Sequence, residues 1–177
     1  MKDNKTWLMG FYVGFAVVLV LFFVIFIIRN RKNGAPEYDE RQITARNLAY
    51  KYAFFILLVY CALCGFLDVT GIKWATLTAL LFIGTMASAT VFAVICILRD
   101  AYEGINERRN TSLVLFGIIG VVNLGTFVMN IVKGVPYFTD GLLNENVTTP
   151  GLAVMFLSLT AAQFIKNRMD KKAADDE

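Results

Sequence analysis

The residues able to do chemistry in this chain are few. It has 3 cysteines and no histidine among 177 residues, and no Asp, Glu, Lys or Arg interrupts its long apolar runs. The pair Cys61-Ala62-Leu63-Cys64 has the spacing that membrane thiol oxidoreductases carry near their outer face. Its place argues against reactivity. A thiol is activated at a helix N-terminus, where the dipole favours the thiolate, and these two fall towards the C-terminal, negative end of their segment. Cys96 is expected near the opposite membrane face, too far away to act as a resolving thiol. The absence of histidine removes the commonest metal ligand and general base. No catalytic, cofactor-binding or metal-ligating residue is assigned, and a non-enzymatic role is expected. Charges persist inside a bilayer mainly where an ion or proton path uses them, so charge-free cores also speak against a proton-coupled pump. Asp68, the nearest candidate, is expected in water.

Two other sets of residues could act through binding. Asn123, Thr126 and Asn130 recur at spacings of three and four, which places them in one stripe along a helix. Counted along the chain, Asn123 stands level with Ser88 and Ser158, so these five define a candidate polar seam; it either fixes helix packing or lines a cavity for a small ligand. The second set is charged. Asp39, Glu40, Arg41 and Arg46 precede one apolar run, and Arg108 and Arg109 precede another, which makes a candidate docking surface. On the same stretch Tyr38, Gln42, Ala45, Ala49 and Tyr52 share one helix side, suited to resting on a bilayer or docking a partner. Arg99, Asp100, Glu103 and Glu107 mix both signs nearby, and either an ion-pair network or a solvated surface fits them.

Apolar helices must position these residues. With 57% hydrophobic residues and a mean hydropathy of +0.59, the chain is too apolar for a water-facing domain. Spanning the hydrocarbon of a bilayer takes about 20 apolar residues. Five segments meet or approach this, at about 7–28, 37–67, 74–98, 112–132 and 150–168. The first lacks a small-residue cleavage site and ends in Arg29, Arg31 and Lys32, as a retained anchor does. The second is one long helix led by Pro36, with Glu37, Asp39 and Glu40 at its positive end and a Glu37–Arg41 pair. The fifth starts at Thr149 and Pro150 and extends past a snorkelling Lys166. The fold class is therefore all-α, a single integral membrane bundle of five transmembrane helices.

Of the 17 Lys and Arg residues, only Lys2, Lys5, Lys73 and Lys133 lie on the side of the N-terminus and the second and fourth loops. Basic residues mark the cytoplasmic side, so the N-terminus is expected outside and the C-terminus in the cytoplasm. Trp7 and Trp74 at the outer ends agree, as interfacial anchors. Basic residues that flank apolar runs encode topology, and nucleic acid is not expected as a partner. The sequons at Asn110 and Asn146 are not read as glycosylation sites. Gly10 with Gly14, Gly84 with Ser88, and Gly117, Gly120 and Gly125 are expected at close helix contacts, within one bundle or between copies.

The stretch Tyr38-Asp39-Glu40-Arg41-Gln42, followed by Ala45, Ala49 and an apolar run, resembles uncharacterised small bacterial multi-pass membrane proteins that share a juxtamembrane Asp-Glu-Arg motif. The resemblance implies a bacterial cytoplasmic membrane and carries no assigned activity or site residue. The expected function is that of an accessory, regulatory or protective subunit. It acts by association with a membrane-protein partner or a second copy. The alternatives are a small-molecule carrier or receptor using the polar seam and, third, a thiol oxidoreductase using Cys61 and Cys64.

Overall fold

The computed structural model describes Val20, Val24 and residues 37–104 and 109–175. The chain divides into two compact units, Met1–Glu37 and Tyr38–Glu177, and the architecture that follows is that of the second. The expected span over 7–28, with Gly10 and Gly14, lies outside the described residues except for Val20 and Val24, both helical.

Four helices make up this unit: α1 (Glu40–Val69), α2 (Leu77–Leu98), α3 (Arg109–Val132) and α4 (Thr148–Asp175). All four are long and apolar enough to cross a membrane. With 30 residues, α1 is about 45 Å long, roughly 15 Å more than a hydrocarbon core. It starts later than expected. Asp39 is the N-cap, accepting from the Gln42 N–H at 2.6 Å, while the Gln42 side chain accepts from the Asp39 N–H at 3.3 Å. This reciprocal box stops the helix at Glu40. Glu37 falls outside it, so no helical i,i+4 spacing links it to Arg41, and Arg41 approaches Asp100.

The start of α4 also differs. The Asn144 side chain accepts from the Asn146 N–H at 3.0 Å and opens a 3₁₀ turn, Glu145–Val147, that runs straight into Thr148. Pro150 thus sits in the first turn of α4, where a missing N–H removes no helical bond. Before it, β1 (Phe138–Thr139) and β2 (Leu142–Leu143) form a two-residue hairpin. Its central residues Asp140 and Gly141 have φ of 52° and 79°, the left-handed pair that a type I′ turn requires. Leu143 clips this hairpin to the approach of α2: its N–H donates to the Trp74 carbonyl at 2.9 Å and its carbonyl accepts from the Thr76 N–H at 2.8 Å. Thr76 in turn caps α2.

Among the described residues the main helix contacts run in a row, α1 on α2, α2 on α4 and α4 on α3. Small residues fill the contacts: Ala45, Ala49, Ala53, Ala79, Ala93, Ala153 and Ala162 are buried. Large apolar side chains face outward, and Phe54, Phe66, Leu81, Val121 and Val154 are each at least 60% exposed. Water would drive the reverse distribution, whereas lipid accepts large apolar groups and rewards close backbone approach. The Gly84 and Ser88 face packs within the chain, against α1. A Cβ at Gly84 would stand 2.5 Å from Cε1 of Tyr60, whose hydroxyl donates to the Leu80 carbonyl at 2.8 Å. Ser88 donates to the Ala53 carbonyl at 2.9 Å. On the other side of the row, Gly120 lets α3 approach Leu157 of α4, and Gly151 accepts Met86 of α2.

Gly84→Val therefore drives a side chain into an anchored ring and should destabilise the detergent-solubilised chain by about 1–3 kcal/mol, read as a lower melting temperature. Gly125→Val, at a helical position with nothing within 4 Å, should leave the melting temperature near that of the parent.

Candidate functional site

The N-terminal end of α1, the C-terminal end of α2 and the Lys166 turn of α4 meet around the loop that follows Leu98. Gln42 organises this meeting. It is buried, its side-chain oxygen is used by the Asp39 cap, and its amide nitrogen donates to the Asp100 carbonyl at 2.5 Å and the Glu103 carbonyl at 3.3 Å. One planar amide thus caps α1 and holds the α2–α3 loop. Glutamate would lack the donor, and leucine would lack both functions.

The loop leaves α2 through a left-handed cap. Asp100 has φ 55°, its N–H donates to the Ile97 carbonyl at 3.2 Å, and the Ala101 N–H donates to the Cys96 carbonyl at 2.7 Å. The same pair of bonds ends α1 at Gly71 and α3 at Gly134, with φ of 78° and 69°. Glycine holds those two positions without a Cβ penalty; at position 100 the chain places an aspartate instead, one of the few other residues that tolerates the conformation. Its carboxylate is employed. Lys166 Nζ lies 2.7 Å and Arg41 3.6 Å from Asp100 Oδ2, and Lys166 also meets Asp170 at 2.8 Å. The Lys166 side chain is 13% exposed and that of Arg41 74%, so the Lys166 contact is the better shielded from water.

The expected docking residues separate into roles. Asp39 is spent on the helix cap. Arg46 donates to the Ala101 carbonyl at 3.0 Å and lies 4.3 Å from the Tyr38 ring centroid and 5.7 Å from that of Phe92. Glu40 and Arg41 stay exposed. Arg108 lies outside the described residues, and Arg109 opens α3. The face carrying Gln42, Ala45 and Ala49 docks within the chain, where Ala45 and Ala49 pack with Cys96 and Ala101; Tyr52 remains exposed. Of the mixed charges, Asp100 joins a network with Arg41 and with Lys166 and Asp170 of the C-terminal helix, Arg99 stands exposed, and Glu107 lies outside the described residues. Ser112 of α3 donates to the Glu103 carboxylate. Beside it, burial and then the Glu103 carboxylate push the Tyr102 phenol above its ordinary value of 10.0.

Beside this network lies an open groove of about 540 Å³, lined by Glu40, Arg41, Thr44, Ala45, Leu98, Arg99, Asp100 and Lys166. The polar seam is not assembled in the same way. Asn123, Thr126 and Ser158 donate to carbonyls of their own helices, Ile119, Val122 and Val154, at 2.9, 2.9 and 2.7 Å. Asn130 contributes its backbone carbonyl to the cap of α3, and Ser88 is engaged with α1. Cys61 is exposed, Cys64 half-buried, and both are free thiols. Among the described residues no group of three or more acidic, Cys or His side chains is arranged to hold a metal.

Gln42, Asp100 and Lys166 carry the site, and the sequence reading did not single them out for it. Asp39-x-x-Gln42 is a legible capping signature, but the second task of the Gln42 amide depends on a loop 58 residues away. The comparisons with known proteins return no matching family model, no matching curated protein and no matching solved structure.

Gln42→Leu removes the cap acceptor and the loop donor together and should cost about 1–3 kcal/mol of stability, measured by thermal unfolding in detergent. Asp100→Asn keeps a residue that tolerates the left-handed backbone but leaves Lys166 with Asp170 alone. Its melting temperature should fall, and the double variant Asp100→Asn/Lys166→Met should recover part of the loss, because the ammonium that has lost one of its two carboxylates is then gone.

Proposed function

We propose that the chain is a five-pass protein of the bacterial cytoplasmic membrane, with its N-terminus outside and its C-terminus in the cytoplasm. It acts without catalysis, as an accessory, regulatory or protective subunit that docks a membrane-protein partner or a second copy at its charged cytoplasmic end. The observation that carries this reading is the division of labour at that end. Asp39, Gln42, Arg46, Asp100 and Lys166 are engaged within the chain, while Glu40, Arg41 and Arg99 stand exposed around an open groove on a preorganised base. A rigid base lowers the ordering cost of binding.

The topology is supported by the charge count, by the placement of Trp74 beside the hairpin at the opposite end of α2, and by the exposed Tyr50 and Tyr52 towards the charged end of α1. The bacterial location rests on the resemblance of Tyr38–Gln42 to small multi-pass proteins of bacteria.

Reporter fusions should read outside at the N-terminus and cytoplasmic at the C-terminus. Cross-linking in native membranes, followed by capture in mild detergent, should give one defined adduct that the triple variant Glu40→Lys/Arg41→Glu/Arg99→Glu loses while still eluting as a folded species. Recovery of the parent only as an uncross-linked monomer, with the triple variant retaining the cellular phenotype, would sink the reading.

A further inference from the structure

The geometry points to the groove beside Asp100 as a seat for the headgroup of an ethanolamine phospholipid, with the phosphodiester against Arg41 and Arg99 and the primary ammonium against Glu40. The inference needs only that the helices span a membrane. It depends neither on their orientation nor on a protein partner, and a lipid seated there competes with any partner that uses the same three side chains.

The groove lies at the level of a headgroup. With 22 residues, α2 is about 33 Å long, close to the thickness of a hydrocarbon core, and Leu98 is its last residue. Arg99 and Asp100 follow at once, so the groove opens where hydrocarbon gives way to headgroups. Leu98 and Ala45 line its apolar side, as an acyl chain leaving the headgroup requires.

Among the described lining residues, Lys166 is already held between Asp100 and Asp170. Arg41 is mostly exposed and only 3.6 Å from Asp100 at its closest, and Arg99 makes no ion pair among the described residues. Two guanidiniums on this rim suit the paired acceptor oxygens of a phosphodiester. Among the described lining residues Glu40 supplies the one exposed carboxylate. It complements an ammonium at the far end of the same headgroup, would stand unpaired beside a glycerol headgroup, and cannot accept a hydrogen bond from a trimethylated amine. A groove of about 540 Å³ is within the range of small-ligand clefts, about 300–1,000 Å³.

Size is not the discriminating test; lipid identity is. The full-length chain, reconstituted in phosphatidylcholine nanodiscs doped with either phosphatidylethanolamine or phosphatidylglycerol, is extracted gently and the lipids that remain bound are counted by native mass spectrometry. Phosphatidylethanolamine should be retained over both others. Arg41→Gln/Arg99→Gln should weaken its retention by at least about tenfold, the order expected for lost charge-assisted hydrogen bonds. Glu40→Gln should abolish the preference for ethanolamine over glycerol headgroups while retaining phospholipid binding. All three positions are exposed, so the variants should elute as the parent does. Equal retention of the three lipids, or unchanged retention in the double arginine variant, overturns the proposal. Binding of free phosphoethanolamine as tightly as the lipid would assign the groove to a soluble ligand and overturn the lipid source.

Discussion

A single buried amide carries the organisation of the charged end. Gln42 is 8% exposed and is satisfied from both sides, by the Asp39 N–H and by the carbonyls of Asp100 and Glu103. Leaving such a group unpaired costs about 1–3 kcal/mol, which couples the start of α1 to the exit from α2. Everything else at this end follows. With the loop held, Asp100 stands in a left-handed cap that two other helices give to glycine, and its carboxylate reaches Lys166 and Arg41. A non-glycine residue in that conformation is retained where its side chain returns more than the backbone loses.

The membrane imposes a different order on the remainder. Lipid supplies no hydrophobic drive between apolar helices, so contact depends on close approach and on a few interhelical hydrogen bonds. Tyr60 over Gly84 and Ser88 to Ala53 serve α1 and α2 in this way, and Gly120 under Leu157 serves α3 and α4. Hydroxyls and amides with no partner across the interface fold back on their own helices, as Asn123, Thr126 and Ser158 do, and remain compatible with hydrocarbon without forming a site. Polarity within a span is thus a poor guide to a cavity, whereas polarity at its end has water, loops and headgroups to act on.

The amino-acid sequence by itself determined four of the elements. Charge-free runs from Ala53, Trp74, Ser112 and Pro150 are helices long and apolar enough to cross a membrane, because hydrocarbon permits few other structures and length is read by counting. Local caps were equally legible in principle: Asp39-x-x-Gln42, Asp140-Gly141 and Asn144 each act on neighbours within a few residues. Those signals moved the helix starts to Glu40 and Thr148 and made a hairpin of the loop before α4. What only the tertiary structure decided is which side chains share a place. Gln42 meets Asp100, Arg41 approaches Asp100, and Lys166 joins them from a helix more than sixty residues further on, because α2, antiparallel to α1 and parallel to α4, brings those three ends to one level. Helical periodicity states which residues share a face of one helix. It is silent on which neighbour that face meets, since in lipid the choice rests on the fit of small residues and single hydrogen bonds rather than on burial of large apolar groups.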